Sequence, residues 1–144
     1  AATSISLANK LASDFLGDAE IASQDFDRIA RFCVSSMPMN MSRPRCAELA
    51  ERIARLSQKT RKSGAEAFIE IFKYLTMSEK TNLGFLVALT KAESLVAISP
   101  MAGQNFISAY EFAISKGGLN MERNLAFSFA TDVAINTSPV SQNK

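Results

Sequence analysis

The chain has 144 residues, 47% of them apolar, with 16 lysines and arginines against 14 aspartates and glutamates and no histidine. One core of that size buries roughly 68–70% of the unfolded surface, so folding requires neither a disulfide nor a metal. Without imidazole there is no Ser-His-Asp or Cys-His nucleophile and no histidine metal site, and a net charge of +2 is too even to imply nucleic-acid or membrane binding by bulk charge.

Helical periodicity runs through the chain. Leu7, Leu11 and Phe15 recur at spacing four, with Ser4 as a cap and Gly17 as a stop. A second helix is predicted from about Glu20 to Ser36, with Ile21, Phe26, Ile29, Phe32 and Cys33 inward and Asp25, Asp27, Arg28 and Arg31 outward. Pro38 and Pro44 make the next segment a loop. A third helix starts near Ser42, with Pro44 in its first turn and Cys46, Leu49, Ile53 and Leu56 on its apolar face. Ser63-x-x-Glu66 has capping-box spacing and opens a fourth, carrying Phe68, Ile71, Phe72 and Leu75.

Ser78 is the expected cap of a fifth helix, to Ile98, apolar almost all round and therefore expected to be the most buried. Ser99-Pro100 opens a sixth, with Phe106, Ile107, Tyr110 and Ile114, and Gly117-Gly118 closes it as a left-handed cap. Asn120 caps a seventh, with Leu125, Phe129 and Val133 at spacing four. Phe127 and Phe129, two apart, cannot both face one way on a helix. The expectation is one all-α domain of six to seven helices over residues 1–136, an irregular or orthogonal bundle, followed by a flexible polar tail at 137–144. No apolar run approaches the roughly 20 residues that cross a bilayer, so no membrane insertion is expected.

Cys33 and Cys46 fit no zinc spacing. Two buried thiols in a reducing compartment are the expectation, with a single bridge as the alternative. The expected location is the cytoplasm, or a virion or host cytoplasm for a viral chain. The start at Ala1 leaves secretion after processing open, and then the Asn-x-Ser triplets at Asn40 and Asn136 would matter.

Charge is unevenly placed. Arg43, Arg45, Arg52, Arg55, Lys59, Arg61 and Lys62 face only Glu48 and Glu51, which leaves residues 43–62 at +5 in a mildly acidic remainder. On a helix, Arg45, Arg52, Arg55 and Lys59 fall within about an 80° arc. That face suits phosphates or an anionic protein. It equally suits a solvated helix laced by Glu48–Arg52 and Glu51–Arg55 pairs. A helix-turn-helix over residues 45–76 is weak, because Glu66 and Glu70 would repel phosphates from the second helix. Met37, Met39 and Met41 pack a loop onto the core or form an adaptable loop for a partner; copper through their thioethers is the remote alternative.

The carboxylate pairs Asp14–Asp18 and Glu66–Glu70 have no companion nucleophile, phosphate loop or metal cluster. The sequence therefore leads to a non-enzymatic helical interaction or scaffold subunit, without cofactor or metal, that binds a protein partner or copies of itself. The alternative is a nucleic-acid-binding module using the basic helix at 43–62.

Overall fold

The computed structural model describes residues 2–35 and 41–137, with side chains from residue 18 onward, and within them Gly17 does not end a helix. The first two predicted helices are one, α1 (Ala2–Ser35), 34 residues long. A single interior glycine costs about 1 kcal/mol relative to alanine, too little to break a helix whose second half is docked. The other elements among the described residues are α2 (Arg43–Thr60), α3 (Gly64–Thr76), α4 (Phe85–Ile98), α5 (Ala102–Ile114) and α6 (Arg123–Thr137), with no strand. The tail expected from residue 137 gives up Thr137 to α6; residues 138–144 lie outside the described residues.

Local chemistry sets the ends. The Ser42 hydroxyl accepts the Arg45 N–H at the start of α2, with Pro44 in the first turn. Arg61 closes α2 in the left-handed region (φ 61°), its N–H returned to the Ser57 carbonyl. The fifth predicted helix starts six residues late, because residues 78–84 are used to finish α3. Thr81 is nearly buried and donates to the Leu75 carbonyl (2.8 Å), Leu83 N–H reaches the same oxygen, and Asn82 turns the chain at φ 54°. Left-handed residues also correct the reading of Gly117-Gly118, neither of which has a positive φ; Asn120 does (φ 51°), as a turn residue and not a cap. Gly118 is there for room. A Cβ on it would lie 2.1 Å from the Phe112 carbonyl oxygen.

α3 is the central helix, packed on α1, α2, α4 and α5, with Phe68, Ile71, Phe72 and Leu75 fully enclosed. The expectation that α4 would hold this place is wrong. Only Ala88, Ala92, Leu95 and Val96 of α4 are buried, with Phe85, Leu89 and Ile98 partly so, and Leu86 and Val87 are 61% and 58% exposed. An apolar circumference permits burial but does not supply neighbours to produce it. α6 is also out of the expected register. Ala126, Ala130 and Ala134 form its buried stripe against α5, while Leu125 lies outside at 59% exposure. Alanine lets two helix backbones approach closely, and that gain outweighs burying the larger residues of the adjacent row. Phe127 and Phe129 flank the stripe and are both partly covered.

Cys33 and Cys46 are bonded, not free: the disulfide ties the last turns of α1 to the first turn of α2 across a sequence separation of 13. Both residues are buried. The two-thiol expectation failed because spacing alone does not show that two helix ends meet; the α1–α2 hairpin brings the Cα atoms to 5.6 Å, within ordinary bonding range.

Candidate interaction surfaces

The basic segment does not present one open surface. Arg52 reaches across to α4 and grips Glu93 through both carboxylate oxygens, the second at 3.1 Å, and this contact holds the guanidinium pKa up. Arg55 pairs with Glu51 (2.7 Å), and Arg61 pairs with Asp18 of α1 (3.2 Å). Of the two intrahelical pairs predicted, Glu51–Arg55 forms; Arg52 leaves Glu48 for a partner outside the helix. Arg43, Arg45, Lys59 and Lys62 make no ion pair among the described residues. Arg43 and Arg45 sit in the first turn and Lys59 in the last, roughly 20–24 Å apart along the axis.

Met37 and Met39 lie outside the described residues. Met41 packs against the core, its sulfur 3.8 Å from Cys33 Sγ, so it supports the disulfide corner. Beside that corner runs an open groove of about 560 Å³ between the end of α1 and Arg43, floored by Ala30 and Val34, with Arg31 held by Asp27 (2.8 Å).

Asp25 is the residue that the sequence reading missed. Composition groups it with its outward-facing charged neighbours, but it is 3% exposed. Its spacing of four from Ile29, and of eight from Cys33, marks the buried face of α1 and was the available signal. The carboxylate accepts from the Ser57 hydroxyl (2.5 Å), the Ser63 hydroxyl (3.0 Å) and the Ala65 N–H (3.3 Å). Ser57 in turn accepts the Gly64 N–H (2.9 Å), and Ser63 accepts that of Glu66 (3.2 Å). The first three N–H groups of α3, which have no partner inside their helix, are all satisfied this way. The predicted Ser63 cap is thus one part of a larger arrangement joining α1, α2 and α3.

A second polar cluster fastens α3 to α5. Tyr74 donates to Glu111 (2.6 Å) and Lys80 donates to the same oxygen (2.9 Å). The hydrogen bond from Tyr74, then that from Lys80, holds the Glu111 carboxyl below its ordinary pKa; burial and the nearby carboxylate push the Tyr74 phenol up. Among the described residues no group of three or more acids and cysteines could hold a metal ion. Asp18 and Glu66, one from each of the two carboxylate pairs, face Arg61 and Arg28 instead.

The uncovered side of α4 is different in kind. Leu86, Val87, Thr90, Lys91 and Ser94 form, with Phe127 of α6, an open and mainly apolar groove of about 470 Å³. The Phe127 ring is held edge-on by Phe106 (5.3 Å). The Lys91 ammonium lies over the same ring, 4.9 Å from its centroid. Partial burial lowers the Lys91 pKa, against the opposing field of Asp132. The groove brings together one aromatic ring, two aliphatic side chains and one cation.

No single helix among the described residues is long and apolar enough to cross a membrane. Compared with family models, with curated proteins and with solved structures, the chain matches none.

Proposed function

We propose that this protein is a helical interaction subunit that works by presenting the α4–α6 face to another protein chain. The observation that carries the reading is the exposure of Leu86 and Val87, side by side on α4, next to the partly exposed ring of Phe127. Single exposed apolar residues are ordinary on protein surfaces; adjoining ones from two elements around a fixed aromatic ring are the usual form of an interaction site. Covering what remains exposed of these two side chains contributes about 1–2 kcal/mol each. The disulfide fits a chain that matures in an oxidising compartment rather than the cytoplasm expected from paired thiols. The test is chemical cross-linking in the native source, with Leu86→Asp as the control. The expected result is a cross-linked protein species that the substitution abolishes; a species that survives it, or none at all, refutes the reading.

The nucleic-acid reading rests on Arg43, Arg45, Lys59 and Lys62, the cations of the basic segment left without an ion pair. Their separation into two ends of α2 gives it less support. It requires binding to DNA or RNA that weakens steeply with salt. Fluorescence anisotropy at low ionic strength decides it: no change in signal ends this reading.

A further inference from the structure

The disulfide corner holds two kinds of sulfur with different chemistry. Cys33 and Cys46 are 0% and 1% exposed, so the bond between them is closed to a reductant in solution. Against that bond lies Met41, which belongs to neither α1 nor α2 and stands just before the Ser42 cap. Its thioether sulfur is 3.8 Å from Cys33 Sγ, and its carbonyl oxygen is 3.8 Å from Cys46 Sγ. One residue outside both helices therefore touches both halves of the bond. Met41 itself is half-buried, so it meets solvent where the cysteines do not.

The bond is one of three fastenings along the α1–α2 hairpin. Asp25 and Ser57 join the two helices near mid-length, and Asp18 and Arg61 join them at the far end (3.2 Å). Opening the corner leaves those two in place, so the bond can open locally while the fold persists. The thioether is the part of this corner that solution chemistry can change. Hydrogen peroxide gives one oxygen to the sulfur and leaves as water; the sulfur loses two electrons and becomes a polar sulfoxide. That oxygen has no place against a buried disulfide without a hydrogen-bond donor.

We propose that Met41 is a lid on the Cys33–Cys46 bond, and that oxidation of its sulfur by peroxide opens the lid and makes the bond reducible in the folded chain. Reduction then runs by thiol exchange. A thiolate of the reductant attacks one sulfur and forms a mixed disulfide. Its second thiol attacks that bond, so that two protonated cysteine thiols are released and the reductant is left as its own disulfide.

The test is reduction of the oxidised full chain by dithiothreitol under native conditions, with new thiols trapped by iodoacetamide and counted by mass spectrometry. Met41→Ala removes the cover and speeds reduction by about tenfold or more. Met41→Leu keeps an apolar cover and reacts at the wild-type rate. Brief peroxide treatment, ended with catalase, speeds reduction of the wild type about as much as Met41→Ala does and leaves Met41→Leu unchanged. That contrast separates Met41 from Met77 and Met101, which are more open at 46% and 50% exposure and oxidise in both proteins. In Met41→Ala the rate is flat in urea below the unfolding transition, and the far-ultraviolet spectrum survives reduction.

Equal rates for Met41→Ala and Met41→Leu overturn the proposal. So does an equal response of the wild type and Met41→Leu to peroxide. Peptide mass analysis that finds Met41 unoxidised when Met77 and Met101 are fully converted overturns it too. A rate in Met41→Ala that climbs with urea in step with global unfolding makes the bond a staple released only with the fold, and there is then no lid.

Discussion

Replacing Asp25 by alanine should destabilise the protein by about 3–4 kcal/mol, far more than a helix-surface aspartate would. The magnitude follows from the bonds that remain. The Ser57 hydroxyl can turn to the Ile53 carbonyl, already 3.1 Å away, and the half-buried Ser63 hydroxyl can turn to water. The Ala65 N–H has neither option: Ala65 is fully enclosed and its acceptor is gone. A stranded buried donor costs about 1–3 kcal/mol, and losing an anion from a partly buried helix N-terminus costs up to about 2 kcal/mol. Asp25→Asn keeps the shape and an acceptor oxygen, so it should cost less, about 1–2 kcal/mol. Urea titration followed by circular dichroism at neutral pH measures both. In a double-mutant cycle Asp25→Ala and Ser57→Ala should be coupled by about 1 kcal/mol or more, since they act on one network. A loss below 1 kcal/mol for Asp25→Ala, or strict additivity with Ser57→Ala, would refute the view that this carboxylate organises the start of α3.

Four other outcomes follow from the contacts described. Reducing the Cys33–Cys46 bond under denaturing conditions and refolding with reductant present should lower stability by about 3 kcal/mol, the value for a loop of this size; an unchanged urea midpoint would show that the α1–α2 packing alone fixes this corner. Arg45→Glu should raise stability by about 0.5–1 kcal/mol, because it exchanges a cation for an acid in the first turn of α2 and completes a capping box with Ser42. Glu111 titrates below its ordinary value of 4.5 in the folded chain. Its contribution is therefore present above that value and lost as pH falls through the folded pKa, so Glu111→Gln should flatten the loss of stability as pH falls below about 4.5; parallel curves for variant and wild type would contradict this. Gly118→Ala forces a Cβ onto the Phe112 carbonyl and should cost about 2 kcal/mol or more, read as a fall in thermal midpoint.

Most helices and the capping serines Ser42 and Ser63 are legible in the sequence because they depend on residues close together along the chain, whereas Ser4 lies inside α1 and Ser78 and Ser99, read as caps, give way to Gly84 and Met101 at the starts of α4 and α5. Ser42, Pro44 and Ser63 act within one turn of where they stand. What was not legible depends on which elements meet. Asp25 looks like one of several charges on a solvated helix until Ser57 and the start of α3 are brought to it from 32 and more residues away. The six residues before α4 look helical until Thr81 is seen to close the end of α3. Leu125, Phe129 and Val133 form as good a stripe as Ala126, Ala130 and Ala134. The choice between them belongs to the closeness of α5, which periodicity does not contain.

The basic segment shows the same limit in a form that bears on function. Its +5 is a property of twenty consecutive residues, but a partner meets a surface, and on that surface Asp18, Glu51 and Glu93 have already taken up Arg61, Arg55 and Arg52. An incoming phosphate would have to break those pairs or rely on cations at opposite ends of α2. Exposed pairs are worth only about 0–1 kcal/mol each, so the cost of breaking them is small, but so is what each freed side chain could return. The α4–α6 face has the opposite balance. Leu86 and Val87 hold no polar partner that would have to be given up, covering what remains exposed of each (61% and 58%) offers about 1–2 kcal/mol, and Phe127 is already held in place by Phe106. Energy weighed against reorganisation therefore favours the apolar face, although the basic helix is the feature that stands out in the sequence.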